Sequence, residues 1–175
     1  MTGAEARTRA GIDPPRFRRA LGRFASGVTV VTTAHEGGVH GMTVNGFVSV
    51  SLEPPLVLVS LRTTCRMSGL LERSQRYGVS VLAEHHEGLS RHFSARPLHP
   101  LEPEFVWQPE LELPFIDGAL VHVGCRVVDV HPAGDHTLFI GRVEHLDDRG
   151  GRPLLFFGGS YTALRPPEDE GGFWL

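Results

Sequence analysis

The chain has 175 residues, of which 41% are hydrophobic, and a formal net charge of −3 at pH 7. This length and composition fit one domain with a core and exclude a wholly disordered protein. Because the charge is slightly negative and no basic tract occurs, we expect no nucleic-acid or anionic-membrane partner. The start of the chain has no apolar leader, and no later segment is long enough to span a bilayer, which predicts a cytoplasmic protein.

The first predicted element is a helix that follows a loose tail over residues 1–12. Asp13 is placed to cap it, and Pro14 occupies its first position. Gly27 is predicted to end it. Its apolar face consists of four residues at helical spacing: Phe17, Ala20, Leu21 and Phe24.

A strand is predicted next over residues 28–34, followed by a turn at His35-Glu36-Gly37-Gly38. The stretch 41–61 then predicts two strands around a turn at Pro54-Pro55, since proline cannot donate to a central ladder.

One face of the stretch that precedes this turn is polar. Its members are Thr43, Asn45, Ser49 and Ser51, interrupted by Phe47, and the other register holds Val44, Gly46, Val48, Val50 and Leu52. A solvent-exposed face is one explanation. Short side chains without Lys, Arg or Glu instead favour close approach of a flat ligand with polar edges.

The second half of the chain predicts two short helices, over residues 67–73 and 87–93, with a strand over 77–83 between them. Residues 95–114 are rich in proline and acidic residues and predict a surface excursion with at most a short strand. Two long strands over 119–131 and 136–146 follow, and a last apolar segment covers 153–164.

Six or seven strands at hairpin spacing, with few and scattered helices, predict a mainly β protein built as a closed antiparallel barrel. We expect one domain over residues 13–165 and a C-terminal tail over 166–175.

Residues 62–71, with the sequence RTTCRMSGLL, form a candidate phosphate site. A helix start, two arginines and two threonine hydroxyls all favour an anion. A capped helix with solvated arginines explains the same residues, so the pattern leaves both open.

Asp135 and His136 form a candidate acid/base pair, although a histidine in a hairpin turn can equally be structural. No metal site is expected, because the histidines lack HExxH or similar spacing. Cys65 and Cys125 lie in no CxxC motif and predict two reduced, buried thiols. The sequence contains no GxGxxG, Walker or GxSxG motif.

Five segments, in order along the chain, resemble the flavin reductase family with the FMN-binding split-barrel fold. The resemblance is closest to the small NAD(P)H:flavin reductase components of two-component flavin monooxygenases. It covers residues 16–165 and rests on FRRALGRFASGVTVVTT, HGMTVNGFVSVSLEPPLVLVSL, YGVSVLAEHHEGLSRHFS, AGDHTLFIGRVEHL and PLLFFGGSYTAL.

The resemblance implies an antiparallel Greek-key split barrel that forms a homodimer, binds FMN or FAD and uses NADH or NADPH. It implies a separate oxygenase component as the partner that receives reduced flavin. The flavin ring and ribityl chain would be bordered by Thr43, Val44, Asn45, Gly46, Phe47, Ser49 and Val50. The phosphate would be bound by Thr64, Cys65 and Arg66. Further contacts would come from Arg91, His92 and Phe93. The nicotinamide nucleotide would meet His136 and the segment Gly158, Gly159, Ser160 and Tyr161.

The chain departs from the family pattern at three places. Gly46 stands where alanine is common, Phe93-Ser94-Ala95 replaces FAG, and Ser160 replaces a basic residue, which bears on nucleotide choice. Two rival functions stay open: a split-barrel flavoprotein that retains its flavin and acts on an organic substrate, and a non-catalytic flavin-binding module.

Overall fold

The computed structural model describes residues 11–97 and 99–164. Residues 1–10 and 165–175, which hold nearly all of both predicted tails, lie outside the described residues. The described chain is mostly β-structure. Its elements in chain order are α1 (Pro14–Leu21), β1 (Ser26–Gly27), β2 (Thr29–His35), β3 (Gly38–Val44), β4 (Phe47–Leu52), β5 (Pro55–Arg62), α2 (Arg66–Ser74), β6 (Arg76–Val81), a 3-10 turn (Glu84–His86), α3 (Glu87–Phe93), β7 (Phe105–Gln108), β8 (Leu113–Ile116), β9 (Val121–Ala133), β10 (His136–Asp148), β11 (Leu155–Phe157) and β12 (Ser160–Thr162).

The main sheet has seven strands in the order β3-β2-β6-β9-β10-β5-β4, and every pairing in it is antiparallel. The mainly β, antiparallel prediction is therefore confirmed. The prediction of a closed barrel is wrong, because within the described residues β3 and β4 form no ladder with each other. β3 and β4 are the two outer strands of the sheet and follow one another in the chain, joined by Asn45 and Gly46. Because they do not pair, the sheet is split at this connection.

Two apolar clusters hold the sheet and the helices together. The larger one contains Tyr77 and Phe139, both fully buried, and the smaller one contains Leu82 and Ile116. Neighbouring side chains of a strand point to opposite faces, and in β2 Val31 belongs to the larger cluster and Val30 to the smaller one. β2 is therefore buried on both faces and lies between the two clusters.

Helix α1 differs from the prediction in its end and in its burial. It ends at Leu21, with Gly22 as its C-cap, rather than at Gly27. None of its residues is buried, and the Phe17, Leu21 and Phe24 side chains are 53%, 54% and 80% exposed. The predicted N-cap is confirmed, since Asp13 accepts a hydrogen bond from the Arg16 amide at 2.9 Å.

The stretch before the Pro54-Pro55 turn is two strands, β3 and β4, where one was predicted. A register irregularity between Ser49 and Ser51 also breaks the alternation. Consequently the apolar side chains of β4 do not face the core. Val48, Val50 and Leu52 are 54%, 49% and 86% exposed.

The excursion predicted over residues 95–114 contains more structure than expected. β7 and β8 form a hairpin, and all four residues of β8 are buried. The Thr32 hydroxyl donates to the Pro114 carbonyl, which fixes β8 under the main sheet. Because prolines and acidic residues dominate the local composition, the composition did not predict that Leu113, Phe115 and Ile116 are buried.

The remaining elements follow the predictions closely. α2, α3 and β6 lie where two short helices and a strand were expected, and β9 and β10 form the long hairpin. Both cysteines are free, but Cys65 is half-buried where a buried thiol was predicted. Across residues 11–97 and 99–164, no helix combines the length and apolarity needed to traverse a bilayer.

Candidate functional site

A cavity of about 390 Å³ lies where the split sheet meets the start of α2. We call it the junction cavity. Its lining residues are Met42, Thr43, Val44, Asn45, Gly46, Ser60, Arg62, Cys65 and His136. Thus one cavity brings together residues of β3, β5, α2 and β10 that are far apart in sequence.

The floor of the junction cavity depends on the close approach of Gly46 to β5. The Ser60 amide donates to the Gly46 carbonyl at 2.8 Å. A Cβ added at Gly46 would lie 3.1 Å from Ser60 Cβ and 3.3 Å from its carbonyl oxygen. Glycine therefore lets the β3–β4 connection pack against β5, which leaves the exposed Asn45 at the rim.

His136 stands at the first position of β10, opposite Arg62 in the β5 ladder. Its Nδ1–H donates to Asp135 Oδ1 at 2.8 Å, so Nε2 is the ring nitrogen left for a ligand. The hydrogen bond from His136 and its positive charge hold the pKa of Asp135 below its usual value. The Asp135 carbonyl also accepts from the Thr63 amide at 3.0 Å, so the turn is tied to the start of α2.

The N-terminus of α2 lies at the edge of the junction cavity. Cys65 is its N-cap residue but forms no side-chain capping bond. Thr64 and Arg66 are exposed beside it. Free amides and a guanidinium group at a helix start are suited to bind an anion.

A second cavity, of about 1060 Å³, lies between α1 and β4. We call it the helix cavity. It shares Asn45, Gly46 and His136 with the junction cavity, so the two are neighbours across these residues. The further lining residues are Pro14, Phe17, Arg18, Leu21, Gly22, Phe24, Ala25, Ser26, Gly27, Thr29, Phe47, Val48, Val81, Asp135 and Phe156.

A third cavity, of about 590 Å³, lies on the other side of Thr43 and Met42. We call it the histidine cavity. Its lining residues are Val39, His40, Gly41, Met42, Thr43, His92, Phe93, Ser94 and Ala95. The Thr43 hydroxyl donates to the Ser90 carbonyl at 2.6 Å, which fixes α3 against β3 and forms the wall between the two cavities.

Several sequence-predicted residues lie outside the linings of these three cavities. They are Ser49, Val50, Thr64, Arg66, Arg91, Gly158, Gly159, Ser160 and Tyr161.

Arg91 and Tyr161 of this set have packing partners of their own. Arg91 pairs with Glu87 at 2.7 Å, and its guanidinium carbon lies 4.9 Å from the centre of the Tyr161 ring. The Tyr161 hydroxyl lies 2.8 Å from Ser90 Oγ. These contacts dock the C-terminal hairpin onto α3.

Sequence reasoning missed the contributions of Ser60, Arg62 and the apolar face of α1 to these linings. Arg62 was noted as part of the candidate phosphate segment, but its place opposite His136 depends on the β5–β10 pairing. No local pattern singles out Ser60. The apolar spacing of Phe17 and Leu21 was the available signal for α1, and it was interpreted as a core face.

Comparison with known proteins identifies the family. Residues 21–165 match the model of the "Flavin reductase like domain" family. The chain is 51% identical over 156 residues to an NADH-dependent flavin reductase from Rhodococcus sp, covering 87% of this chain and 88% of that protein. It is 38% identical over 175 residues to the reductase subunit HsaB of a flavin-dependent monooxygenase from Rhodococcus jostii (strain RHA1), covering 99% of this chain and 90% of that protein.

The solved structure of flavin reductase PheA2 in its native state superposes with a TM-score of 0.85 at 43% identity, covering 89% of this chain and 100% of that one. The family model, the two relatives and this structure agree with one another. The chain therefore belongs to the flavin reductase like domain family.

Proposed function

We propose that the protein is an NADH-dependent flavin reductase that transfers a hydride to FAD or FMN and supplies the reduced flavin to a separate monooxygenase. The similar proteins named as NADH-dependent flavin reductases and as monooxygenase reductase subunits support this function. The junction and helix cavities provide two adjoining places for two ring systems.

The residues of the junction cavity fit a flavin. The β3–β4 connection at Asn45 and Gly46 offers amide groups to the polar edge of a flat ring, and the packing of Gly46 against Ser60 holds that connection at the cavity. Arg62 and the uncapped start of α2, at Thr64 to Arg66, suit the flavin phosphate. When bound, flavin supplies the hydride-accepting ring and NADH supplies the hydride.

His136 is proposed to position the nicotinamide and to exchange a proton at Nε2. Asp135 accepts from Nδ1–H at 2.8 Å and so fixes the orientation of the ring. NADH is proposed to enter through the helix cavity, because that cavity shares His136, Asn45 and Gly46 with the flavin site. That the two cavities adjoin at these shared lining residues is the single observation that carries the proposal, because hydride transfer needs two rings in contact.

The test is a matrix of FAD and FMN against NADH and NADPH, with nucleotide oxidation followed by absorbance. We expect turnover with NADH and a catalytic amount of flavin, and no turnover with any combination would refute the proposal. Cytochrome c held behind a dialysis membrane then reports whether reduced flavin leaves the protein. Reduction confined to the protein side would instead support a flavoprotein that retains its flavin.

We also propose that the protein is a homodimer. β4 is an outer strand of the main sheet, and three of its apolar side chains, Val48, Val50 and Leu52, are at least 49% exposed. An exposed apolar outer strand favours burial against a second copy. Sedimentation equilibrium is expected to show a dimer, and Val50→Glu is expected to shift it toward monomer. A monomeric wild-type protein at micromolar concentration would refute this assembly.

A cytoplasmic location is proposed on chemical grounds. NADH, the proposed hydride donor, is an intracellular metabolite, and both cysteines are free thiols, as expected in a reducing compartment. Cell fractionation tests this location, and recovery of the protein outside the cytoplasm would contradict it.

A further inference from the structure

The β7–β8 hairpin lies outside the linings of all three cavities and has no part in the proposed hydride transfer. β8 is buried under the main sheet, and β7 is the outer strand of the hairpin. Within residues 11–97 and 99–164, β7 pairs with β8 alone and its backbone forms no other backbone hydrogen bond. The N–H and C=O groups of β7 that point away from β8 can therefore pair with a further strand.

The centre of β7 exposes two large apolar side chains. Val106 is 37% exposed and Trp107 is 48% exposed. Because neighbouring residues of a strand point to opposite faces, apolar surface is present on both sides of the same backbone edge. Tryptophan is among the residues that contribute most to the binding free energy when a partner buries them. β7 therefore combines an unpaired edge with a side chain that can anchor a partner.

Carboxylates lie at both ends of β7. They are Glu102 and Glu104 before the strand and Glu110 and Glu112 after it. All four are exposed, and none forms an ion pair within the part of the chain that the structure describes. The sequence from residue 97 to residue 125 contains no Lys or Arg. Arg76 of β6 reaches the hairpin from outside this span and donates to the Leu111 carbonyl at 3.2 Å.

The sign of this charge decides which kind of molecule fits the edge. A second copy of the chain would bring its own carboxylates against these, and like charges placed opposite each other on paired strands repel. Nucleic acid and anionic membranes are disfavoured for the same reason. A protein segment that carries Lys or Arg on either side of a short apolar strand is complementary in charge and in polarity. Such a segment can add to β7 through main-chain hydrogen bonds.

The hairpin lies near the proposed flavin site. Phe105 of β7 packs against Phe93 of α3 with ring centroids 6.3 Å apart. Phe93 lines the histidine cavity, which shares Met42 and Thr43 with the junction cavity. A protein that docks on β7 is therefore held close to the proposed source of reduced flavin.

We propose that β7 and its flanking carboxylates dock a short basic strand, apolar at its centre, of a separate protein. This inference rests on the proposed function, under which that protein is the oxygenase component that receives reduced flavin. Main-chain pairing supplies the geometry, Trp107 supplies the apolar anchor, and the carboxylates select a basic partner.

The probe for this surface is a rhodamine-labelled peptide of alternating threonine and isoleucine with arginine at both ends. Its binding to the full chain is followed by fluorescence anisotropy, and we expect saturable binding that weakens as salt is added. The same peptide with glutamate in place of arginine is expected to bind at least roughly tenfold more weakly. Two further peptides are N-methylated at alternate residues, one in each register. One of them is expected to lose binding, because its blocked amides are those that pair with β7.

Substitutions in the chain locate the binding. Trp107→Ala is expected to raise the peptide Kd roughly tenfold, which corresponds to about 1.4 kcal/mol. Glu104→Gln removes one flanking charge and is expected to raise the Kd about threefold. Glu53→Gln is the matched control, because Glu53 is exposed in the β4–β5 turn and has no ion pair among the described residues. It is expected to keep the wild-type Kd. All three variants are expected to oxidise NADH with free flavin at the wild-type rate, which also shows that they fold.

The alternatives give different results. Equal binding of the basic and acidic peptides, or an unchanged Kd in both Trp107→Ala and Glu104→Gln, would refute docking at β7. Full binding of both N-methylated peptides would refute strand pairing at its edge. A shift from dimer to monomer in Trp107→Ala, measured by sedimentation equilibrium, would assign the edge to a second copy of the chain. A wild-type protein that binds the peptide but oxidises no NADH would refute the proposed function, and with it the oxygenase as the partner.

Discussion

Gly141 in β10 is a position where one methyl group is expected to destabilise the protein. A Cβ added there would lie 2.2 Å from Tyr77 Oη, 2.7 Å from Tyr77 Cζ and 2.9 Å from Cys125 Cβ. Tyr77 is fully buried and Cys125 nearly so, and the ring therefore has no free space to move into. Overpacking of this kind costs about 1–3 kcal/mol, partly offset by the roughly 0.4–1 kcal/mol that alanine gains over glycine in the unfolded chain.

Urea unfolding at one fixed protein concentration measures the effect of Gly141→Ala. We expect a net loss of about 1–2 kcal/mol, or a Tm lower by roughly 2–8 °C for a chain of this size. Gly27→Ala is the matched control, because an added Cβ at Gly27 meets no atom within 4 Å. Its free energy of unfolding is expected to stay within about 0.5 kcal/mol of wild type.

Tyr77→Phe tests whether the contact with the hydroxyl is the cause. This hydroxyl is buried with no nitrogen or oxygen partner among the described residues, and the Cys125 thiol beside it is a weak partner. Its removal alone is expected to cost little. In the Gly141→Ala background it is expected to recover part of the loss, with a coupling energy of about 0.5–3 kcal/mol. Full stability of Gly141→Ala, or strictly additive effects, would refute the reasoning.

Three further predictions concern the candidate site, the buried His122 of β9, and the contact between Tyr161 and α3. His136→Ala is expected to raise the KM for NADH roughly tenfold and to raise the flavin Kd less. Arg66→Ala is expected to raise the flavin Kd more than the KM for NADH. Steady-state kinetics and flavin titration measure both constants, and a larger effect of His136→Ala on the flavin Kd, or of Arg66→Ala on the KM, would contradict these roles. Burial lowers the pKa of His122, so its contribution to stability is complete above the unfolded pKa of about 6.5 and is lost as the pH falls below it. Urea unfolding from pH 7.5 to 5 is expected to show this loss and to show less of it in His122→Gln, and equal losses would disprove the assignment. Tyr161→Phe removes the 2.8 Å contact with Ser90 and is expected to cost about 0.5–1.5 kcal/mol, and an unchanged urea midpoint would show that the contact contributes nothing.

Local patterns predicted the elements whose signals are complete within a few residues. α2, α3 and the β9–β10 hairpin were each predicted from the residues of their own segments, the hairpin with its turn at Gly134 and Asp135. The end of α1 was misplaced because Gly22 and Gly27 are equally good stop signals in sequence, and the C-cap bonds of Gly22 decide between them. β8 was missed because its burial depends on packing under β2 and β6, which no neighbouring residue reveals.

The candidate site divides in the same way. Thr43 and Asn45 were identified from their short polar side chains, and Val44 and Gly46 from the family resemblance. The structure places all four on the junction cavity with Cys65 and His136. The functional roles of these residues remain predictions. The sequence contained no local sign that His40 would lie near Arg66, since these residues come from β3 and α2 and meet through tertiary packing.

By itself, the sequence determined the antiparallel strand and turn order, the helix starts and the membership in a family whose motifs run along most of the chain. These properties depend on side-chain periodicity, proline and glycine geometry, and segment order, all of which are present before folding. Tertiary structure alone decided that the sheet stays split at Asn45 and Gly46 and that Val48 and Leu52 face outward. It also decided that the junction cavity adjoins the helix cavity at Asn45, Gly46 and His136 and the histidine cavity at Met42 and Thr43. The physical reason is that burial and cavity shape arise from pairing between strands distant in sequence, such as β5 with β10, whose register no single segment specifies.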